Sequence, residues 1–142
     1  MLLIKEIAVY VNILNSRIKK GFFDRLQANG INITPEQYLV LDILWDQQSL
    51  SQQNIADIIQ KDKNSVTKII DSLEKKELVR RVVDKKDRRI NKIELTDDAV
   101  ALEKKTTEVA ISFMNDAVKD IDEQELDSFV NVMRKMKKNL ED

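Results

Sequence analysis

Apolar residues at Ile4, Ile7, Ala8, Val11, Leu14, Ile18 and Phe22 recur at the three- and four-residue spacing of one helical stripe, and Leu3, Tyr10 and Phe23 widen it. So broad a stripe predicts a first helix that meets two surfaces, with Asn29-Gly30 as its stop signal. Thr34-Pro35-Glu36-Gln37 then supplies an N-cap, a proline at the first helical position and a glutamine placed to return a hydrogen bond to the cap. That pattern predicts a helix running through Trp45. Ser49-Leu50-Ser51 introduces a short helix with Ile55, Ile58 and Ile59 turned inward, interrupted by Lys61-Asp62-Lys63. Asp62 caps the next helix, whose Val66, Ile69, Ile70 and Leu73 face the core and leave Asn64, Ser65, Thr67, Lys68 and Asp71 outside.

The period then changes. Leu78 to Val83 and Ile90 to Leu95 are rich in β-branched residues, and Ile93 and Leu95 alternate with Lys92 and Glu94 as a half-buried strand requires. The two runs predict a hairpin. Its tip, Asp84-Lys85-Lys86-Asp87-Arg88-Arg89, has no glycine, so an open loop is expected there instead of a two-residue turn. Thr96, followed by Asp97 and Asp98, caps a long helix with Leu102, Thr106, Val109, Ala110, Phe113 and Ala117 inward. Ile121-Asp122-Glu123 separates it from a last helix carrying Leu126, Phe129, Val130, Met133, Met136 and Leu140. The fold class is therefore mainly α with a small β-hairpin wing, as one domain over residues 1–142: a lobe over about 34–96, flanked by helices over about 1–28 and 97–141.

Composition narrows the chemistry. The 142 residues contain no cysteine and no histidine, which removes disulfides, thiolate nucleophiles, imidazole bases and the usual zinc ligands. Asp97 with Asp98, and Asp122 with Glu123 and Glu125, look like paired carboxylates, yet each set sits at a helix start, where the helix dipole accounts for it. Neither catalytic nor metal-binding residues are expected, and no cofactor. No apolar run near the amino terminus is long enough for a signal peptide or a bilayer span, so a cytoplasmic protein away from the membrane is expected. The net charge of −1 hides a division. Residues 61–92 hold twelve Lys and Arg against six Asp and Glu, a net of +6, and the remainder holds twelve against nineteen, a net of −7. A basic segment on an acidic scaffold can neutralise phosphates locally.

Helix, short helix, short helix and hairpin, with the polar helix face and the hairpin tip both in the basic segment, form a winged helix-turn-helix. Such a unit suits duplex DNA, whose major groove admits a helix and whose narrower minor groove accepts an arginine-tipped arm. Residues 51–78, followed by Asp87-Arg88-Arg89 and Leu95-Thr96, resemble the MarR (multiple antibiotic resistance regulator) family. The resemblance implies a transcription regulator, more often a repressor than an activator, whose terminal helices build a homodimer on a palindromic operator and which a small ligand often releases. It assigns Asn64, Ser65, Thr67 and Lys68 to the major groove, Arg89 at the wing to the minor groove, and Asp87 to orienting that arginine; Arg88, beside it on the tip, is a minor-groove candidate by position. Lys63, Lys85 and Lys86 suit phosphates, because a lysine point charge positions without specifying. Two residues depart from the family pattern: Glu77 stands where a glycine usually ends the recognition helix, and Ala99 where one often follows Leu-Thr.

Dimerisation also follows from geometry, since two half-sites lie about 34–36 Å apart along a duplex and the terminal helices' apolar faces need covering. Phe22, Tyr38 and Trp45 are candidates to line a cleft for a small aromatic or anionic ligand, with plain core packing as the alternative. A reading of a different class keeps the fold as a helical protein-interaction module without sequence-specific DNA binding, and Glu77 and the acidic balance favour it.

Overall fold

A computed structural model describes residues 2–141; Met1, counted above with the first helix, and Asp142 lie outside the described residues. Six helices and three strands follow in the order α1 (Leu3–Ala28), α2 (Pro35–Gln47), β1 (Ser49–Ser51), α3 (Gln52–Ile59), α4 (Lys63–Lys75), β2 (Val79–Val83), β3 (Asn91–Leu95), α5 (Asp97–Ala117) and α6 (Glu123–Asn139). Each helix start in the middle of the chain carries its own chemical reason. Thr34 Oγ1 accepts the Gln37 amide at 3.1 Å while Gln37 Oε1 accepts the Thr34 amide at 3.0 Å, with Pro35 at the first helical position. Ser51, Asp62 and Thr96 cap α3, α4 and α5 through their side-chain oxygens.

Helix ends are equally determined. Gly30, at φ 71°, ends α1, where the Ile31 amide reaches back to the Leu26 carbonyl at 2.9 Å. Glu77 takes the same left-handed conformation at the end of α4, at φ 60°. Its neighbour Leu78 donates to the Leu73 carbonyl at 3.0 Å, its own amide donates to Glu74, and Thr96 Oγ1 donates to its carbonyl at 2.7 Å. The departure from glycine therefore leaves the usual helix-ending bonds intact, at a cost of about 1 kcal/mol for a side chain in that region. Ala99, the other departure, is fully buried.

The hairpin is part of a three-stranded antiparallel sheet in the order β1-β3-β2. Ser49 to Ser51, expected only to lead into α3, forms an edge strand first, with Leu50 opposite Ile93. Val79 pairs with Leu95 and Val83 with Asn91, leaving residues 84–90 as the open tip. A single core joins this sheet to α2, α3, α4, the last turns of α1 and the first half of α5, with Leu26, Ile33, Leu41, Leu44, Ile55, Ile70, Leu73 and Ile93 fully enclosed. Ile58 is a correction: it is 50% exposed, because the eight residues of α3 bury only Ile55 and Ala56. Ala117, expected inward, is exposed as well, past the last buried residue of α5.

No residue before Phe22 or after Val109 is buried among the described residues. The stripe of α1 at Ile4, Ile7, Val11 and Leu14 is exposed, as are Phe129, Val130, Met133 and Met136 of α6 and Leu140 just past its end. No helix among the described residues is long and apolar enough to cross a membrane.

Candidate nucleic-acid interface

Helix α4 lies with Val66, Ile69, Ile70 and Leu73 in the core, which turns its first two turns' polar residues outward. The four residues assigned to the major groove are brought together there, but they are not equivalent. Asp62 Oδ1 accepts the Ser65 amide and Oδ2 accepts the Ser65 hydroxyl, both at 2.8 Å. Those two bonds hold the Asp62 carboxyl below its usual range, the backbone bond first. Thr67 Oγ1 donates to the Lys63 carbonyl at 2.9 Å and accepts from Gln52 Nε2 at 2.7 Å, so it is wedged between α3 and α4. Asn64 and Lys68 are exposed, as is Lys63. The outward, uncommitted chemistry of α4 is thus an amide and an ammonium one turn apart, supported by a serine and a threonine whose hydroxyls already serve the helix.

At the wing, Arg89 projects with its side chain 90% exposed yet is not loose. Its Nε donates to Asp87 Oδ1 and its Nη2 to Asp87 Oδ2, both at 3.0 Å, and its amide donates to Oδ1 at 3.1 Å. The forked guanidinium matches the carboxylate bidentately. It holds the Asp87 carboxyl below its ordinary range and raises Arg89 in return. Asp84 accepts the Lys86 amide at 2.7 Å and shapes the other side of the tip, leaving Lys85, Lys86 and Arg88 exposed.

The basic segment is less uniform than its tally. Arg81 bridges Asp71 at 2.7 Å and Glu74 at 2.9 Å, Arg80 faces Glu94 at 3.6 Å, and Lys92 faces Asp84 at 3.9 Å. Lys76 turns inward to the Asn32 carbonyl and Gln37, and burial lowers its pKa. What remains for an external polyanion is Lys63 and Lys68 on α4, Lys85, Lys86, Arg88 and the outward-held Arg89 at the tip, with the half-buried Lys61 before α4 and the exposed Lys75 at its far end. Sequence spacing pointed to the tip and the α4 face; it missed Arg81, which ties the strand β2 to the outer face of α4, and Gln52, which braces Thr67.

A cleft of about 510 Å³ opens between α1, α2 and α5. Phe22 and Tyr38 line it, with ring centroids 5.0 Å apart edge to face, and Phe113 stacks on Phe22 at 5.9 Å. Lys19 and Glu36 stand at its rim, 3.8 Å apart. Burial, with Asp42 nearby, raises the Tyr38 phenol above its ordinary value. Trp45 is a correction: it does not line this cleft, because its Nε1 donates to the Ala99 carbonyl at 2.9 Å and its ring faces a separate hollow with Gln48, Glu94 and Val100.

The MarR family profile matches residues 33–90. The regulator PrsX of Escherichia coli is 31% identical over 132 residues, covering 90% of this chain and 77% of that one. The repressor MdtR of Bacillus subtilis is 31% identical over 68% of this chain. The chain spans only 61% of MdtR and 54% of a second Bacillus subtilis relative, an organic hydroperoxide resistance regulator. Among solved structures, the Staphylococcus aureus MepR–DNA complex superposes with a TM-score of 0.86 at 26% identity, covering 94% of this chain and 97% of that one. An organohalide-sensing regulator, RdhR, in its 2,4-dichlorophenol-bound form, superposes at 0.91 with 17% identity, covering 99% and 82%.

Proposed function

This chain belongs to the MarR family of transcription regulators and is not an enzyme, and from that premise we propose that two copies bind a palindromic operator and repress by occupying it. The observation that carries the reading is the pairing of an exposed polar α4 face with an arginine held outward on the neighbouring wing by Asp87. In it, Asn64 and Lys68 reach base edges of the major groove, with Ser65 and Thr67 fixing the start of the helix and offering their remaining lone pairs. Arg89 enters the minor groove with Arg88 beside it, already extended by Asp87, so little side-chain freedom is lost on binding. Lys63, Lys85 and Lys86 hold phosphates on either side. MepR, solved on DNA, supports this use of the fold.

The exposed apolar faces of α1 and α6 support the homodimer, since a single copy leaves both in water. The α1/α2/α5 cleft is the place for a small, largely apolar aromatic ligand that weakens operator binding, with Phe22, Tyr38 and Phe113 as its aromatic walls. RdhR, solved with 2,4-dichlorophenol, supports that class.

The test begins with duplex fragments selected from the source genome by the wild-type protein. Affinity for the enriched duplex should fall with salt at a log–log slope of about −0.9 per phosphate contact, and Arg89→Ala should weaken it about ten- to a hundredfold while the dimer persists. A protein-interaction module would enrich no sequence, show a flat salt response and ignore Arg89→Ala.

A further inference from the structure

Gln37 is the most enclosed polar side chain of the α2 start, only 5% exposed, and it does more than close its own capping box. Its Oε1 accepts from the Thr34 amide at 3.0 Å and from Lys76 Nζ at 2.9 Å, and its Nε2 donates to Ser72 Oγ at 2.9 Å. Lys76 Nζ also donates to the Asn32 carbonyl at 3.0 Å, and Ser72 Oγ donates to the Ile69 carbonyl at 2.6 Å. One amide therefore joins the loop before α2, the first turn of α2 and the last two turns of α4. The same turn presents Pro35, Glu36, Tyr38 and Leu39 to the cleft on its other side.

We propose that Gln37 is a positioning residue that couples the cleft to the DNA-reading helix: what displaces the first turn of α2 from the cleft side is passed through Gln37 to Ser72 and Lys76, and so to the tilt of α4. The physical basis is stiffness. A buried amide tied to three partners on different segments cannot follow one of them without straining its bonds to the others, and a broken bond there leaves a buried polar group unpaired. The proposal rests on reading α4 as the recognition helix, and adds which residue carries the signal to it.

The test fills the cleft by substitution, so that its first readout needs neither a ligand nor an operator. Met114→Trp places an indole on the α5 wall, and Leu39→Trp on the α2 wall serves as a second filler if the first fails to fold. Each is made in the wild type and in Gln37→Leu, Ser72→Ala and Gln37→Glu, the last keeping the acceptor for Lys76 and Thr34. Amide hydrogen exchange over residues 69–76 is the first readout. The filler should speed it about tenfold in the wild type and less than about twofold in Gln37→Leu and Ser72→Ala, with Gln37→Glu, which keeps the Lys76 and Thr34 bonds but loses the donor to Ser72, in between. Affinity for the selected duplex is the second readout and should follow the same non-additive pattern. An equal filler effect in all four backgrounds, or none in the wild type, overturns the coupling. Non-additive exchange in a protein that binds no duplex keeps the coupling and overturns the DNA reading instead.

Discussion

The middle of the chain and its two ends answer the same physical demand in opposite ways. Between Phe22 and Val109, apolar residues meet one another in a continuous core, and α2, α3, α4 and α5 each begin on a side-chain cap. At the ends, α1 and α6 repeat apolar residues with equal regularity, but α6 buries none of them and neither of these two helices has a side-chain cap at its start. The middle is determined by contacts within one copy. The ends leave apolar faces that one copy does not cover, which is the observation behind the dimer proposed above.

The largest effect that separates the two regions is expected in the core. Leu44→Ala should cost about 2–5 kcal/mol of stability, read from denaturant unfolding of variant and wild type at matched protein concentration. Phe129→Asp combined with Met133→Asp should weaken self-association at least about thirtyfold in sedimentation while the helical signal of the middle persists. Unfolding of the middle along with dissociation would break the distinction. Glu77→Gly should raise stability by about 1 kcal/mol without changing self-association, because it removes a side chain from a left-handed position. The smallest effect is a pH response. Asp62 has a folded pKa below its ordinary value, so its stabilising contribution is complete above the usual carboxylate range and disappears as pH falls through the depressed value. Thermal midpoints of the wild type should fall over that acid window more than those of Asp62→Asn, whose amide still caps α4 without titrating.

The same contrast explains what could be read without a structure. Caps and stripes are local, so Thr34-Pro35-Glu36-Gln37, Asp62 and the buried face at Val66, Ile69, Ile70 and Leu73 were legible from spacing alone. Long-range partners were not. Ser49 to Ser51 carry no period of their own and become a strand only because residues 92–94 run beside them. Ile58 has the right spacing to be buried, but no neighbour covers its side of so short a helix. Trp45 is aromatic like Phe22 and Tyr38, yet its indole is bonded to the Ala99 carbonyl, 54 residues on, and lies against a different hollow. At the interface itself, Asp87 and Arg89 are two residues apart and their pairing is local. Gln37 and Ser72 are 35 residues apart, and nothing in a capping box announces the second partner.

Arg81 carries a further consequence. By pairing with Asp71 and Glu74, it ties β2 to the outer face of α4, so the helix and the base of the wing share a direct polar contact. In the dimer proposed here, that tie limits how far the recognition helix and the base of the wing of one copy can part. Tolerance for altered half-site spacing then rests more on the long terminal helices proposed to join the copies.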